Sequence, residues 1–237
     1  MQLFFNEIIT IDDTEIIFSK EESRHIVKVL RKAEGDFVFI TNGKGILFKA
    51  EVSLASTNKC IAQIIETTIQ EKPKLHIHLA VAPTKMNDRY EWFLEKATEI
   101  GIQEITPIIC DHSERKVIKI ERYKKIIQSA TKQSLRFHMP IINEAISIND
   151  FVKNHTNETL FIAHCEETKR TSFKKELSNT NSKSFTVLIG PEGDFSSNEI
   201  ELALANHYIP VMLGETRLRT ETAALVATHS IIYSLES

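Results

Sequence analysis

Two loops in the last quarter of the chain contain residue types that could bind a ligand. The first, residues 189–195 (IGPEGDF), follows a predicted strand and carries Gly190 and Gly193. Glycines let a ligand approach the backbone closely, and the free amides of such a loop can donate hydrogen bonds to it. The same residues are also typical of a tight strand-to-helix turn. The sequence alone leaves both interpretations open.

The second loop, residues 213–223 (LGETRLRTETA), also runs from a predicted strand into a predicted helix. Thr220 is the predicted N-cap of that helix. Glu221 falls in the first turn, where the helix dipole favours an acid. These roles leave Arg217 and Arg219 without an explanation. They could be solvated surface charges, or they could hold an anion.

Positive charge is concentrated in two segments of a chain whose formal net charge is −3. Residues 112–139 contain eight basic and two acidic residues, and residues 23–32 contain four basic residues and no acid. A nucleic-acid partner would have to be held by such local patches, because no global basic field exists. Solvated helix faces are the alternative. We interpret both segments as candidate phosphate contacts.

The pattern along the chain predicts two domains, 1–72 and 73–237, separated at Lys72-Pro73. The first reads as mostly β with one helix that starts at a capping box, Ser19 to Glu22, and it is expected to form a small β-barrel. From residue 75 onward strands alternate with helices, which predicts an α/β fold with a parallel sheet. Predicted strands are 36–41, 46–54, 60–69, 75–82, 105–110, 159–164, 185–189 and 209–213. Predicted helices are 88–100, 120–135, 148–154, 173–177, 196–206 and 221–235. The first of these is expected to stop at Gly101, and the fifth to begin with a second capping box, Ser196 to Glu199.

Several function classes are disfavoured by missing motifs. The chain has no GxxxxGK[ST], GxGxxG, HExxH or GxSxG sequence. His76 and His78 share one face of a predicted strand, but no third metal ligand is placed by spacing, so no metal is expected. The three cysteines are far apart and contain no CxxC, which favours a reducing compartment. With no signal peptide and no sufficiently long apolar run, we expect a cytoplasmic protein without a membrane partner.

A series of short motifs spans nearly the whole chain. It comprises Phe4-Phe5, residues 24–31 with Gly35-Asp36, residues 96–101 with Pro107, residues 130–136 with Pro140, His164-Cys165-Glu166, residues 189–193 and residues 218–223. In this order the motifs resemble those of the bacterial small-subunit ribosomal RNA uridine-N3 methyltransferases (RsmE-type) of the SPOUT superfamily. Each motif is modest by itself, whereas the ordered set is specific.

The resemblance implies a PUA-like β-barrel that helps to bind RNA, followed by an α/β domain with a deep trefoil knot. It implies S-adenosylmethionine bound in the knot, a homodimer, and a uridine of small-subunit ribosomal RNA as target within an assembled particle. The cofactor-binding residues it implies are Leu188, Ile189, Gly190, Pro191, Glu192, Gly193, Leu213, Gly214, Leu218, Arg219 and Thr220. The candidate RNA-binding residues are Arg24, His25, Lys28, Arg31, Lys132 and Arg136.

The chemistry of the implied reaction suggests catalytic residues. Uridine N3 carries a proton and lies on the Watson–Crick edge, so the target must be unpaired or flipped out. Arg219 is the candidate that stabilises the resulting uridinate. Glu221 is a candidate base, and Glu192 is the alternative, although each also has a capping or turn explanation. Gln133 and Arg136 are predicted to share a helix face that contacts RNA or packs at an interface.

Three positions depart from the pattern of that family. Asp194 stands where a second glycine is frequent, the first arginine of the second loop is displaced to Arg217, and Leu3 replaces a frequent basic residue. Two other functions stay open. The chain could be a non-catalytic RNA-binding or assembly factor, or it could methylate another RNA position, such as a ribose hydroxyl.

Overall fold

The computed structural model describes residues 1–154, 159–166 and 170–235. The chain divides into two compact units, Met1–Lys72 with Thr131–Met139, and Pro73–Ala130 with Pro140–Ser237. The division into the domains 1–72 and 73–237 stays a prediction. The segment Thr131–Met139 belongs to the first compact unit. Its backbone bonds explain why: the N–H of Gly45 donates to the carbonyl of Phe137 at 2.8 Å, and the N–H of Met139 to that of Gly43 at 2.9 Å.

The first unit contains a five-stranded sheet and one helix. Its elements are β1 (Leu3–Phe5), β2 (Glu15–Ile17), α1 (Lys20–Arg24), a π-helical turn (His25–Val29), β3 (Phe37–Thr41), β4 (Ile46–Leu54) and β5 (Ile61–Ile69). The strand order is β1-β3-β4-β5-β2, antiparallel except for the parallel pair β1–β3. As predicted, Ser19 begins α1, with its hydroxyl oxygen accepting the N–H of Glu22 at 3.2 Å. The three-residue strands β1 and β2 were not predicted individually, because they are too short to show a period.

The second unit is built on a parallel sheet, which confirms the predicted α/β class. Its elements are β6 (His76–Val81), α2 (Asn87–Ile100), β7 (Glu104–Ile109), α3 (Ile120–Gln133, whose last three residues belong to the first unit), β8 (Ile141–Ile142), β9 (Ile146–Ser147), α4 (Ile148–Asn154), β10 (Thr159–Ala163), β11 (Thr171–Ser172), α5 (Phe173–Ser178), β12 (Ser184–Ile189), α6 (Ser197–Ala205), β13 (Ile209–Met212) and α7 (Thr220–Leu235). The strand order is β11-β13-β10-β12-β6-β7-β8, with β9 on β7, and every pair is parallel. The central strands are buried apolar runs, as parallel sheets covered on both faces require.

The ends of two helices agree with the sequence signals. Ser196 and Glu199 form the predicted capping box of α6, each side chain bonding to the other residue's backbone N–H. Gly101 ends α2 with φ +122°, and its N–H donates to the carbonyl of Ala97 at 2.9 Å. A left-handed backbone at this position is the usual helix stop and favours glycine.

Helix α3 ends earlier than predicted, which corrects the proposed surface at its end. The helix stops at Gln133, and Leu135 adopts a φ of +56°. The N–H of Arg136 then donates to the carbonyl of Thr131 at 3.0 Å and closes the helix end. The prediction that Gln133 and Arg136 share a helix face is therefore wrong, because Arg136 lies beyond the helix.

Two kinds of feature are absent from the described ranges. No helix there is long and apolar enough to cross a membrane. No group of three or more His, Cys, Asp or Glu side chains there is arranged to hold a metal ion.

Candidate functional site

The carboxyl ends of three strands meet at one edge of the parallel sheet. Ala163 at the end of β10 is paired with Ile189 at the end of β12 on one side and with Val211 of β13 on the other. Along the chain, β12 forms on one side of β10, and β13 then forms on the opposite side. Such a change of direction opens a crevice at the strand ends, where ligands of open α/β sheets bind.

Two adjoining pockets with five lining residues in common occupy this crevice, and we call them the two lobes of one cavity. The first, the glycine-loop lobe, has a volume of about 280 Å³ and is lined by Ala163, Cys165, Ile189, Gly190, Pro191, Glu192, Asp194, Arg217, Leu218, Arg219, Thr220 and Ala223. The second, the Gly214 lobe, measures about 400 Å³ and is lined by Ala163, His164, Cys165, Arg170, residues 211–218 and Ala223. The two loops singled out in the sequence therefore bound one site.

Most of the predicted cofactor residues line one lobe or the other, but two do not. Leu188 is fully buried in β12 and packs in the hydrophobic core. Gly193 faces His112, whose Cβ lies 3.0 Å from the position of a Cβ added at this glycine. The lobes also contain residues that the sequence did not nominate. His164 and Cys165 carry a signal only as part of a family motif, and Arg170 carries none.

The glycine loop is held in shape by packing and by Asp194. A Cβ added at Gly190 would lie 3.1 Å from the ring of Phe195, which leaves little room for a side chain. Asp194 adopts a φ of +65°, a conformation that suits glycine and that aspartate tolerates better than most residues. Its carboxylate accepts the N–H of Cys165 at 2.7 Å and so ties the glycine loop to the end of β10. This hydrogen bond gives a structural role to Asp194, which stands where a second glycine is frequent in the family.

Glu192 is engaged by a backbone N–H and by an arginine side chain rather than free for proton transfer. Its Oε1 accepts the N–H of Lys85 at 2.9 Å, and its carbonyl accepts an N–H of Arg217 at 3.3 Å. Arg115 in turn donates to the carbonyls of Thr84 and Lys85 at 3.2 and 2.9 Å. Glu192 is therefore a loop anchor in this arrangement, and Arg115 supports it. The sequence marked Arg115 only as one of many basic residues.

Thr220 does not cap α7 as predicted but is its first residue. Its buried hydroxyl donates to the carbonyl of Gly190 at 3.0 Å and joins the two loops. The carbonyl of Arg219, one residue earlier, accepts the N–H of Ala223 at 2.8 Å and begins the helical pattern. The hydroxyl therefore fixes the distance between the loops rather than the end of the helix.

Replacing Thr220 with valine is expected to lower the free energy of unfolding by about 1 kcal/mol, because it removes this buried hydrogen bond without changing side-chain volume. Thr228 provides a matched control in the same helix. Its buried hydroxyl donates to the carbonyl of Ala224 at 2.9 Å, one turn earlier, so Thr228→Val should cost much less. Urea denaturation of both variants measures the difference. Equal losses would contradict the loop-joining role.

Arg219 faces both the glycine-loop lobe and an open groove beside it. The groove, of about 730 Å³, is lined by Asp88, Arg89, Trp92, Arg217, Leu218, Arg219, Glu221 and Thr222. Arg219 is exposed, whereas Glu221 is only 7% exposed. Within the described part of the chain, no hydrogen bond or ion pair engages either side chain. A cation and an acceptor are thus available on the wall between cavity and groove.

All six candidate RNA-binding residues belong to the first compact unit, because Thr131–Met139 is part of it. Arg24, Lys28 and Arg31 are exposed. His25 is half-buried, with its ring 6.2 Å from that of Phe4, so it also has a packing role. Lys132 and Arg136 are partly exposed. The helical part of the basic segment is partly neutralised, since Arg122 pairs with Glu91 and Lys124 with Glu121.

Two family profiles match the chain. Residues 70–232 match an RNA methyltransferase domain, and residues 18–65 match an RNA methyltransferase PUA domain. Curated relatives match over most of their length. A ribosomal RNA small subunit methyltransferase E from Rickettsia conorii is 32% identical, over 91% of this chain and 88% of the relative. The protein of the same name from Buchnera aphidicola (subspecies Acyrthosiphon pisum) is 33% identical, over 92% and 87%.

Solved structures share the whole architecture. A protein of Porphyromonas gingivalis assigned as an rRNA methyltransferase superposes with a TM-score of 0.90 at 36% identity and covers 100% of this chain and 99% of its own. A Legionella pneumophila protein assigned as a methyltransferase, solved with bound S-adenosylmethionine, gives a TM-score of 0.84 at 26% identity, over 98% and 97%.

Proposed function

Because this chain belongs to the family of RNA methyltransferases that carry an N-terminal PUA domain, we propose that it transfers a methyl group from S-adenosylmethionine to N3 of a uridine in small-subunit ribosomal RNA. One observation carries the proposal. The loop that bounds the two-lobed cavity also presents Arg219 to the adjoining groove. A methyl donor in the cavity and a nucleotide in the groove would meet at this loop.

The cavity suits S-adenosylmethionine. Its lobes of about 280 and 400 Å³ together fall in the range of roughly 300–1,000 Å³ that small-molecule sites occupy. The glycine-loop lobe carries the carboxylates of Glu192 and Asp194, which complement the positive charge of a sulfonium compound. His164 lines the second lobe, and its two buried ring nitrogens have no hydrogen-bond partner among the described residues, so a polar ligand would supply one. When bound, the cofactor supplies an electrophilic methyl group.

The residues of the chain then position the base and handle its proton. The two loops, joined by Thr220, hold the site rigid so that the nucleophile and the methyl group align. Glu221 accepts the proton from uridine N3 in the groove. Arg219 stabilises the negative charge that develops on the uracil ring. Glu192 is not assigned as the base, because its carboxylate is committed to the N–H of Lys85.

The remaining parts of the proposal concern partners. The first unit binds the RNA through Arg24, His25, Lys28, Arg31, Lys132 and Arg136. The enzyme works as a homodimer with a trefoil knot in its second domain, and it acts on assembled small subunits in the cytoplasm. The basic residues gathered in one unit and the PUA match over residues 18–65 support the RNA contacts.

Reversing the charge of Arg136 is expected to weaken RNA binding and to flatten its salt dependence. One lost phosphate contact lowers the slope of log K against log [salt] by about 1. Filter binding to a small-subunit RNA fragment at several salt concentrations measures the slope for Arg136→Glu. Lys175→Glu is the matched charge reversal, at an exposed position of α5 in the other unit, and it should leave the slope unchanged. An unaltered slope in Arg136→Glu would remove this contact.

The activity is tested by methyl transfer from labelled S-adenosylmethionine to small ribosomal subunits prepared without this enzyme, followed by digestion to nucleosides. Labelled 3-methyluridine is the expected product. A different labelled nucleoside would redirect the enzyme to another RNA position. Cofactor binding without transfer would indicate a different RNA substrate, and loss of both would favour a non-catalytic RNA-binding factor. The intact loop sequences 190–193 and 218–221 argue against that last alternative.

A further inference from the structure

His164 is a buried histidine that no hydrogen bond satisfies. It follows β10 directly, its residue exposure is 4%, and neither Nδ1 nor Nε2 has a partner among the described residues. Its backbone is fixed, since the carbonyl accepts an N–H of Arg170 at 2.5 Å. A buried polar group without a partner carries a desolvation penalty of about 1–3 kcal/mol. Such groups call for an explanation, and a ligand is one.

The position of His164 indicates which ligand would satisfy it. The residue lines the Gly214 lobe and is absent from the lining of the glycine-loop lobe. Both lobes share Ala163, Cys165, Arg217, Leu218 and Ala223, so one elongated molecule can occupy both. His164 then touches whichever half of that molecule enters the second lobe.

The two lobes differ in chemistry, which orients an asymmetric cofactor. The glycine-loop lobe is lined by the acids Glu192 and Asp194 and by Arg217 and Arg219, a mixed set of charges that suits the ammonium, sulfonium and carboxylate groups of the amino-acid half. The Gly214 lobe is larger, and its lining combines apolar residues such as Val211 and Leu213 with polar ones such as His164 and Arg170. The bulkier adenosyl half, with apolar faces and a polar edge, fits this lobe better.

We propose that the imidazole of His164 hydrogen-bonds the adenosyl half of bound S-adenosylmethionine. This inference rests on the proposed function, because it assumes the same cofactor. Burial lowers the pKa of His164, and the nearby Arg170 guanidinium adds to this, whereas Asp194 and Glu166 oppose it. The ring is therefore neutral at neutral pH and offers one donor and one acceptor. A neutral ring also avoids repelling the sulfonium charge.

A ligand contact and a packing role for His164 predict different effects of its substitution on the Tm of the free protein and on the affinity for the cofactor. If the ligand supplies the missing partner, His164→Leu should keep or raise the Tm of the free protein, since it removes an unpaired polar group. The same variant should weaken S-adenosylmethionine binding roughly tenfold and shrink the Tm rise caused by the cofactor. A histidine needed only for packing would instead lower the Tm of the free protein and leave affinity unchanged.

Calorimetry with two probes tests the assignment. S-adenosylmethionine and 5′-methylthioadenosine, which lacks the amino-acid half, should both lose about tenfold in affinity to His164→Leu, and His164→Gln should recover part of it. His207→Asn, at an exposed histidine after α6 whose φ of +68° asparagine tolerates, is the control and should bind both probes normally. In wild-type protein, 5′-methylthioadenosine should shift the ring nitrogen NMR signals of His164. This measurement does not depend on the variants folding.

Each result decides between the possibilities. Unchanged affinity of His164→Leu for both probes, or unshifted ring signals in wild-type protein, would overturn the inference. Weaker binding of S-adenosylmethionine with normal binding of 5′-methylthioadenosine would overturn the assignment to the adenosyl half. Failure of the wild-type protein itself to bind S-adenosylmethionine would overturn the proposed function first, and this inference with it.

Discussion

Arg219→Ala is expected to lower kcat by about two to three orders of magnitude while changing the Kd for S-adenosylmethionine less than about threefold. A preorganised donor aimed at developing charge contributes roughly 10²–10³ in rate. Arg219 is exposed at the wall between cavity and groove, and it has no partner in the described residues. Its loss therefore removes stabilisation of the uracil anion without disturbing a hydrogen-bond network. Single-turnover methyl transfer and calorimetry measure the two quantities separately.

Arg217 provides an informative comparison within the same loop. Its guanidinium donates to the carbonyl of Glu192 and so supports the glycine loop. Arg217→Ala should therefore raise the Kd for the cofactor more than it lowers kcat, which is the opposite pattern. Lys175→Ala, a charge removal on exposed α5, should change neither value. Equal turnover in Arg219→Ala and wild type would exclude Arg219 from the reaction.

Glu221→Gln is expected to lower kcat by about 10²–10⁴, the usual contribution of a positioned general base. The substitution keeps the shape of a side chain that is 7% exposed and lines the groove. The remaining activity of the variant should rise more steeply with pH than that of the wild type, because hydroxide from the solvent must then remove the N3 proton. A pH–rate profile of both proteins measures the effect.

Two further carboxylates separate catalysis from structure. Glu192→Gln should alter cofactor affinity and retain the kcat of the wild type, because its carboxylate anchors the loop at the N–H of Lys85. Glu201→Gln, on the exposed face of α6, should behave as wild type. If Glu221→Gln kept both the rate and the pH dependence of the wild type, Glu221 would not be the base. A loss of kcat in Glu192→Gln, with wild-type kcat in Glu221→Gln, would make Glu192 the base instead.

Local patterns in the sequence determined most helices and strands of this protein. The capping signals at Ser19 and Ser196 and the stop at Gly101 were found where predicted, because each depends on contacts within one helical turn. The alternation of strands and helices along the chain likewise indicated the α/β class, because the period of each element is a local property. Local rules failed where a distant partner competed. Thr220 has the residue type of an N-cap, but its hydroxyl donates to Gly190, thirty residues earlier.

Which segments became neighbours was settled by long-range contacts that local patterns do not report. The pairing of β10 with both β12 and β13 brings His164 and Cys165 into the cavity. Backbone hydrogen bonds join Phe137 to Gly45 and Met139 to Gly43, and they make Thr131–Met139 part of the first unit. The physical reason is common to both cases. Periodicity and capping report contacts a few residues apart, whereas strand partners are selected by burial and backbone hydrogen bonding between segments distant in sequence.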